Sequence, residues 1–185
     1  MNQHSACIGM IESTSIAKGI EAADAMLKAA NVGVLFSKTI CPGKYAVAVC
    51  GDVAAVEASV EAGKGFLGQR MVDWLVIPNL HQEIPGALCG IGQLPESGAL
   101  GIIETYSATS IVLAADAAVK AADVALVEIR LAMGLGGKGC ALFCGDVAAV
   151  RAAVDAGVSQ VGSTGLLVEQ TVIPQPMPEL WKTLA

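Results

Sequence analysis

The side chains best suited to chemistry in this chain are its thiols. There are six cysteines: Cys7, Cys41, Cys50, Cys89, Cys140 and Cys144. Thiolates ligate soft metals and iron–sulfur centres, and paired thiols can form disulfides. No two of the six stand in a Cys-x-x-Cys spacing, and in a reducing compartment they are expected as free thiols. Cys50 and Cys144 close the apolar runs Tyr45 to Val49 and Cys140 to Phe143, where cysteine serves as a small buried hydrophobe. Cys7 and Cys89 also sit beside apolar positions and are read the same way. Cys41 stands apart, in the turn sequence Thr39-Ile40-Cys41-Pro42-Gly43-Lys44. Lys38 and Lys44 flank it and could offset a negatively charged site. On residue chemistry alone, a cysteine beside Pro-Gly is most often a turn residue, because one thiol is only one of a cluster's usual four ligands.

Other candidates are weaker. Met133-Gly134-Leu135-Gly136-Gly137-Lys138-Gly139 is glycine-rich, but Lys138 is followed by Gly139 rather than Ser or Thr, so it is not a phosphate loop. His4 and His81 are isolated and are expected at the surface or an edge. Glu12 and Glu104 both follow an apolar run. They are expected to lie apart, too far for paired acid–base work, and to cap the helices that follow. No catalytic constellation emerges, and the chain is read as a structural protein, not an enzyme.

The elements that position these residues occur twice. Cys50-Gly51-Asp52-Val53-Ala54-Ala55-Val56 returns unchanged as Cys144-Gly145-Asp146-Val147-Ala148-Ala149-Val150. Glu12 answers Glu104, and Val76-Ile77-Pro78 answers Val172-Ile173-Pro174. Two copies are too few for a solenoid; the chain is two domains, expected at residues 1–92 (with a linker) and 93–185. In the first repeat, Cys7 to Ile11 reads as a strand. Ser13-Thr14-Ser15 supplies an N-cap, and Ile16, Ile20, Ala23, Leu27 and Ala30 form one helical stripe. Ala108, Val112, Ala115, Val119 and Ala122 repeat it. Val32 to Phe36 and Tyr45 to Val49 are strands joined by the Thr39 to Lys44 turn. Asp52 caps a second helix that Gly63 is placed to end, and Asp146 and Gly157 repeat the pattern. Met71 to Ile77 is a last strand. The order βαββαβ predicts an α+β fold of two tandem ferredoxin-like domains. His81 to Ser97 is the linker, with a short helix at Ile84 to Leu88.

Composition narrows the class. Hydrophobic residues make up 54% and charged residues 15%, which is too apolar for disorder. Small domains leave much surface in water, so this composition implies outer faces buried against other chains. Where the first helix carries Lys18, Glu21, Asp24 and Lys28 on its outer face, the second carries Ser110, Leu113, Asp116 and Lys120, a face that could receive a protein. No uncharged stretch approaches the roughly 18–20 residues of a membrane span; Ile84 to Pro95, for example, covers 12. The Met1 to Ser5 segment lacks a signal-peptide pattern, so a cytoplasmic location is expected. A net charge of −6 argues against nucleic acid.

Several of these segments carry a resemblance. Ile8-Gly9-Met10-Ile11-Glu12, the helix Ala22 to Ala30, Gly51-Asp52-Val53 and Val76-Ile77-Pro78, each answered in the second repeat, resemble the shell-protein domain of bacterial microcompartments. Two copies in one chain resemble the tandem-domain subfamily. The Ser37 to Lys44 loop and the Pro78-Asn79-Leu80-His81 ending resemble its cysteine-bearing, propanediol-utilisation type. The resemblance implies a homotrimer shaped like a hexagonal disc, tiling edge to edge with other shell proteins in a cytoplasmic microcompartment shell. It implies edge contacts through Lys28 and Lys120, and through Asn79 and Gln175, which stand where the family uses an arginine. It implies a central pore lined by Thr39, Ile40, Pro42, Gly43 and Lys44 of one loop and Gly134, Leu135, Gly136, Gly137 and Lys138 of the other. It also implies that three Cys41 thiolates hold one 4Fe-4S cluster per trimer for electron transfer across the shell, with an encapsulated or cytosolic redox protein as partner. An open metabolite pore without a cluster, and a ferredoxin-like small-molecule-binding regulator, remain as alternatives.

Overall fold

The computed structural model describes residues 7–88 and 97–184. The expectations for His4 and Cys89 lie outside them, as does the middle of the linker. The first repeat forms β1 (Cys7–Ser13), α1 (Ile16–Ala29), β2 (Gly33–Ile40), β3 (Lys44–Gly51), α2 (Val53–Leu67) and β4 (Met71–Ile77). A short helix, α3 (Ile84–Leu88), follows at the expected place. The second repeat forms β5 (Ala99–Thr105), α4 (Ala108–Ala121), β6 (Ala125–Leu131), β7 (Gly139–Gly145), α5 (Val147–Val161) and β8 (Leu167–Ile173), and ends in α6 (Pro178–Thr183). The sheets run β2-β3-β1-β4 and β6-β7-β5-β8. Every strand pair is antiparallel. This is the ferredoxin-like arrangement, made twice.

Packing divides the chain into two compact units. Among the described residues, one gathers 7–80 together with Ser107–Ser110 and Ala132–Gly137, and the other holds the rest. The first unit therefore includes the start of α4 and most of the β6–β7 loop. Its core joins Cys7 and Ile11 of β1 to Val47 and Val49 of β3, Ala22 and Met26 of α1, and Val56 and Val60 of α2. The central strand β1 is buried along its whole length, so both its faces are covered. In the second unit, Trp181 of α6 packs with Leu100, Val127, Leu142 and Cys144.

Several expectations change. The stripe read on α1 only grazes its inner face: its Ala23 is buried with Gly19, Ala22 and Met26, whereas its Ile16, Ile20 and Leu27 are exposed. The equivalent Ala108, Val112 and Val119 of α4 are buried. Gly63 does not end α2, which continues to Leu67. It is where α1 crosses, since a Cβ there would lie 2.9 Å from Met26 Cγ. Gly157 is likewise inside α5, its missing Cβ replaced by Ala114 O at 2.7 Å. Asp52 and Asp146 hold the N-cap positions of α2 and α5 but make no side-chain cap bond. Ser15 does cap α1, accepting the Lys18 N–H at 3.3 Å. The outer face of α4 is covered within the chain at Ser110 and Asp116 but not at Lys120. Ser110 donates to Asp73 at 2.5 Å, and buried Asp116 accepts the His81 N–H at 2.8 Å.

Candidate metal centre

The turn that carries Cys41 is shorter than its sequence suggests. Only Cys41, Pro42 and Gly43 form it. Thr39 and Ile40 belong to β2, and Lys44 opens β3, paired with Ile40. Gly43 takes φ +81°, a left-handed conformation that suits glycine. Cys41 is a half-buried free thiol at the hairpin tip.

The β6–β7 loop lies against this turn within the first unit. Gly137, at φ +92°, has no room for a side chain: a Cβ would meet Pro42 Cδ at 2.7 Å and Cys41 O at 3.0 Å. Gly134 and Gly136 also have positive φ, as does Ala132, a non-glycine residue. Of the residues expected to line a pore, Thr39, Pro42, Gly43, Gly134 and Gly136 are exposed, and Lys44, Leu135 and Lys138 are half-buried. Ile40 and Gly137 are buried in the chain itself.

Lys44 holds turn and loop together. Its ammonium pairs with Glu12 and donates to Gly137 O at 3.2 Å. Glu12 is fully buried, and a buried carboxylate needs such partners. It also accepts from Ser107 Oγ at 3.1 Å and from the Thr109 N–H at 3.3 Å. Asp73 shares that single hydroxyl proton with Glu12, Ser107 Oγ lying 2.6 Å from it, and accepts from Ser110 Oγ at 2.5 Å. This corrects two expectations. Glu12 does not cap the helix after it; it caps the first turn of α4, where the helix dipole favours a carboxylate. Nor is the charge of Lys44 free to offset a cluster, because Glu12 neutralises it; Lys38 remains exposed beside the Phe36 ring, 4.7 Å from its centre.

The equivalent pair in the second repeat is looser. Lys138 and Glu104 are 3.3 Å apart, with side chains 44% and 36% exposed. Beside them, burial and then the Glu104 carboxylate push the Cys140 thiol up to about 11. Burial also raises the thiols of Cys7 and Cys144. Cys50 is half-buried. Among the described residues, no group of three or more His, Cys, Asp or Glu side chains is placed to hold a metal ion within one chain, Cys41 included. His81 is half-buried, its Nδ1 accepting the Glu83 N–H at 3.4 Å.

The residues expected at an edge are exposed. Lys28 pairs with Asp24, four residues back on α1. Lys120 makes the same pair with Asp116 at 2.5 Å. Asn79 and Gln175 are exposed just beyond Pro78 and Pro174. Sequence reasoning missed α6 and the Glu12–Ser107–Asp73 network. The first had a signal in Pro178 followed by Trp181; the second joins Ser107 to Glu12, 95 positions away, and to Asp73, 34 positions away.

A duplicated ferredoxin-like α+β domain, with a loop of the second repeat packed on a cysteine-bearing turn of the first, defines a tandem-domain protein of the shell type. The BMC domain matches the chain twice, at residues 7–80 and 99–176, and the chain belongs to that family, the shell proteins of bacterial microcompartments. It is 46% identical over 180 residues to the bacterial microcompartment shell protein PduT of Citrobacter freundii, covering 97% of this chain and 98% of that one. Over 83 residues it is 46% identical to the shell protein EutM of Salmonella typhimurium, covering 44% of this chain and 83% of that shorter protein. A crystal structure of a microcompartments protein from Desulfitobacterium hafniense superposes with a TM-score of 0.85 at 49% identity, covering 97% of this chain and 99% of that one.

Proposed function

We propose that three copies of this chain close into a six-lobed disc, that such discs tile with other shell proteins, and that the three Cys41 turns meet on the disc axis to hold one 4Fe-4S cluster. The role is structural and conductive rather than catalytic. Closed threefold symmetry brings the same turn of every chain to one place, and that is what a lone cysteine needs in order to act as a ligand. The observation that carries the reading is the placement of Cys41: a free, half-buried thiol at a hairpin tip, in a turn whose backbone is backed by Gly137 of the second repeat's loop.

The donor set fits the group. Three thiolates would bind three irons of a cube and leave the fourth to another ligand. Such a cluster, when bound, supplies one-electron transfer. The chain's own part is positional. Pro42 and Gly43 form the tip, Gly137 closes its back, and Lys44 ties both to the sheet. The apolar α1 face with exposed Ile16, Ile20 and Leu27 supports the assembly, because its α4 counterpart is buried. Lys28, Lys120, Asn79 and Gln175 serve at the disc edge, where uncharged Asn79 and Gln175 make weaker contacts than an arginine would. An encapsulated or cytosolic redox protein would exchange electrons with the centre.

Anaerobic purification tests this reading. It predicts brown protein with about 1.3 irons per chain and matching sulfide, one cube per three chains. Cys41→Ser should remove iron and colour while the trimer persists. Colour that survives this substitution rejects the ligand assignment.

A further inference from the structure

The network around Glu12 joins two sets of groups: Glu12, Lys44 and Asp73 of the first repeat, and Ser107, Ser110 and the Gly137 carbonyl of the second. The repeat assigns every member an equivalent. Glu104, Lys138 and Glu169 stand for Glu12, Lys44 and Asp73, at offsets of 104 − 12 = 92, 138 − 44 = 94 and 169 − 73 = 96. Ser15, Lys18 and Gly43 stand for Ser107, Ser110 and Gly137, at offsets of 92, 92 and 94.

In the chain these equivalents form two open half-sites. Glu104 and Glu169 lie directly opposite each other in the β5–β8 register, a like-charge pairing that a sheet disfavours. Glu169 is exposed, and Glu104 is answered only in part by half-exposed Lys138. The complementary half-site is accessible too: Ser15 is half-buried and Gly43 exposed, and half-buried Lys18 pairs at 2.5 Å with solvent-exposed Glu21 on its own helix, a surface pair worth little that a second carboxylate can join or replace. The substitutions favour joining them. Where the first network sets the Ser110 hydroxyl on Asp73, the second would set the Lys18 ammonium on Glu169, turning a hydroxyl–carboxylate contact into an ion pair. Beside it, Ile16, Ile20 and Leu27 are 37%, 52% and 43% exposed, an apolar surface for the same contact.

We propose that Glu104, Lys138 and Glu169 of one chain receive Ser15, Lys18 and the Gly43 carbonyl of a second copy, so that each Cys41 turn is held from both sides. Lys44 and Gly137 grip it from within its own chain, and Lys138 of the adjoining chain grips it through Gly43. This inference rests on the threefold assembly proposed above and names the residues that close it. Lys138 is thus a positioning residue for the cysteine of its neighbour.

A charge swap on the full-length protein tests the pairing, read by sedimentation across a dilution series. Glu169→Lys and Lys18→Glu should each raise the concentration at half-dissociation by about tenfold or more, because each sets like charges together. The double variant should return to within about threefold of the wild type, as a direct partner must. Lys138→Met should weaken the trimer by a similar factor, and Lys138→Arg should restore most of it. A wild-type monomer would instead reject the threefold assembly itself. A wild-type trimer that is indifferent to Glu169→Lys, or a double variant no better than the singles, overturns this pairing alone. A trimer unaffected by Lys138→Met removes Lys138 from the site.

Discussion

Lys44 and Lys138 hold equivalent places in the repeat and make the same ion pair, yet their surroundings differ in kind. Lys44 faces a carboxylate with no access to water, whereas Lys138 and Glu104 are wetted. Breaking a buried pair leaves an uncompensated charge, so Lys44→Met should cost about 3–5 kcal/mol of folding stability, read as a lowered urea midpoint. Gly137→Ala combines a positive φ with a Cβ driven against Pro42 and Cys41 O, and should cost about 1–3 kcal/mol by the same measurement. Cys140 gives a pH test. Its thiol is raised to about 11, so the fold favours the neutral form. At pH 8 Cys140 should resist alkylation, and labelling should set in only as pH nears 11. Because an unfolded thiol ionises near 8.5, stability is fully retained below that pH and falls as pH rises from there through about 11, where the buried thiolate is forced to form; a cysteine alkylated fully at pH 8 contradicts the placement. The repeat marked Glu12 and Glu104 as equivalents. It did not reveal their burial, because Ser107 and Thr109 reach Glu12 from nearly a hundred positions along the chain.

At the scale of elements, the repeat itself made the fold legible. The main apolar runs and the Gly-Asp helix starts occur twice, and the βαββαβ order follows from either copy. What failed was the inner face of α1. Ile16, Ile20 and Leu27 have the spacing of a core stripe but are exposed; of that stripe Ala23 is buried, beside Gly19, Ala22 and Met26 of the true inner face. Periodicity identifies an apolar face without saying whether its own chain covers it. The misread glycines have the same origin, since a helix crossing and a helix end both ask for a missing Cβ. Their environments separate two variants. A Cβ at Gly63 meets the flexible Met26 side chain, but at Gly157 it meets the Ala114 backbone carbonyl. Gly157→Ala should therefore destabilise more than Gly63→Ala in thermal unfolding, with equal losses contradicting the packing. Helix α6 was missed because six residues are too few for periodicity to register; Trp181→Ala should cost about 3–5 kcal/mol.

Across the whole molecule, the low charge first read from composition resolves into specific surfaces. The α1 face, the Glu104–Lys138–Glu169 half-site and the Cys41 turn are all open in one chain, and one threefold assembly would close them together. Ile20→Glu should dissociate that assembly while leaving the circular-dichroism spectrum of the chain unchanged, since Ile20 lies outside its core. Unaltered sedimentation would place the interface elsewhere. The most direct measurement is native mass spectrometry of protein purified without oxygen. The account predicts the mass of three chains plus one four-iron, four-sulfide cube, and three chains alone for Cys41→Ser. A cluster-free trimer, a cluster on a single chain, or a cluster that survives Cys41→Ser would contradict it.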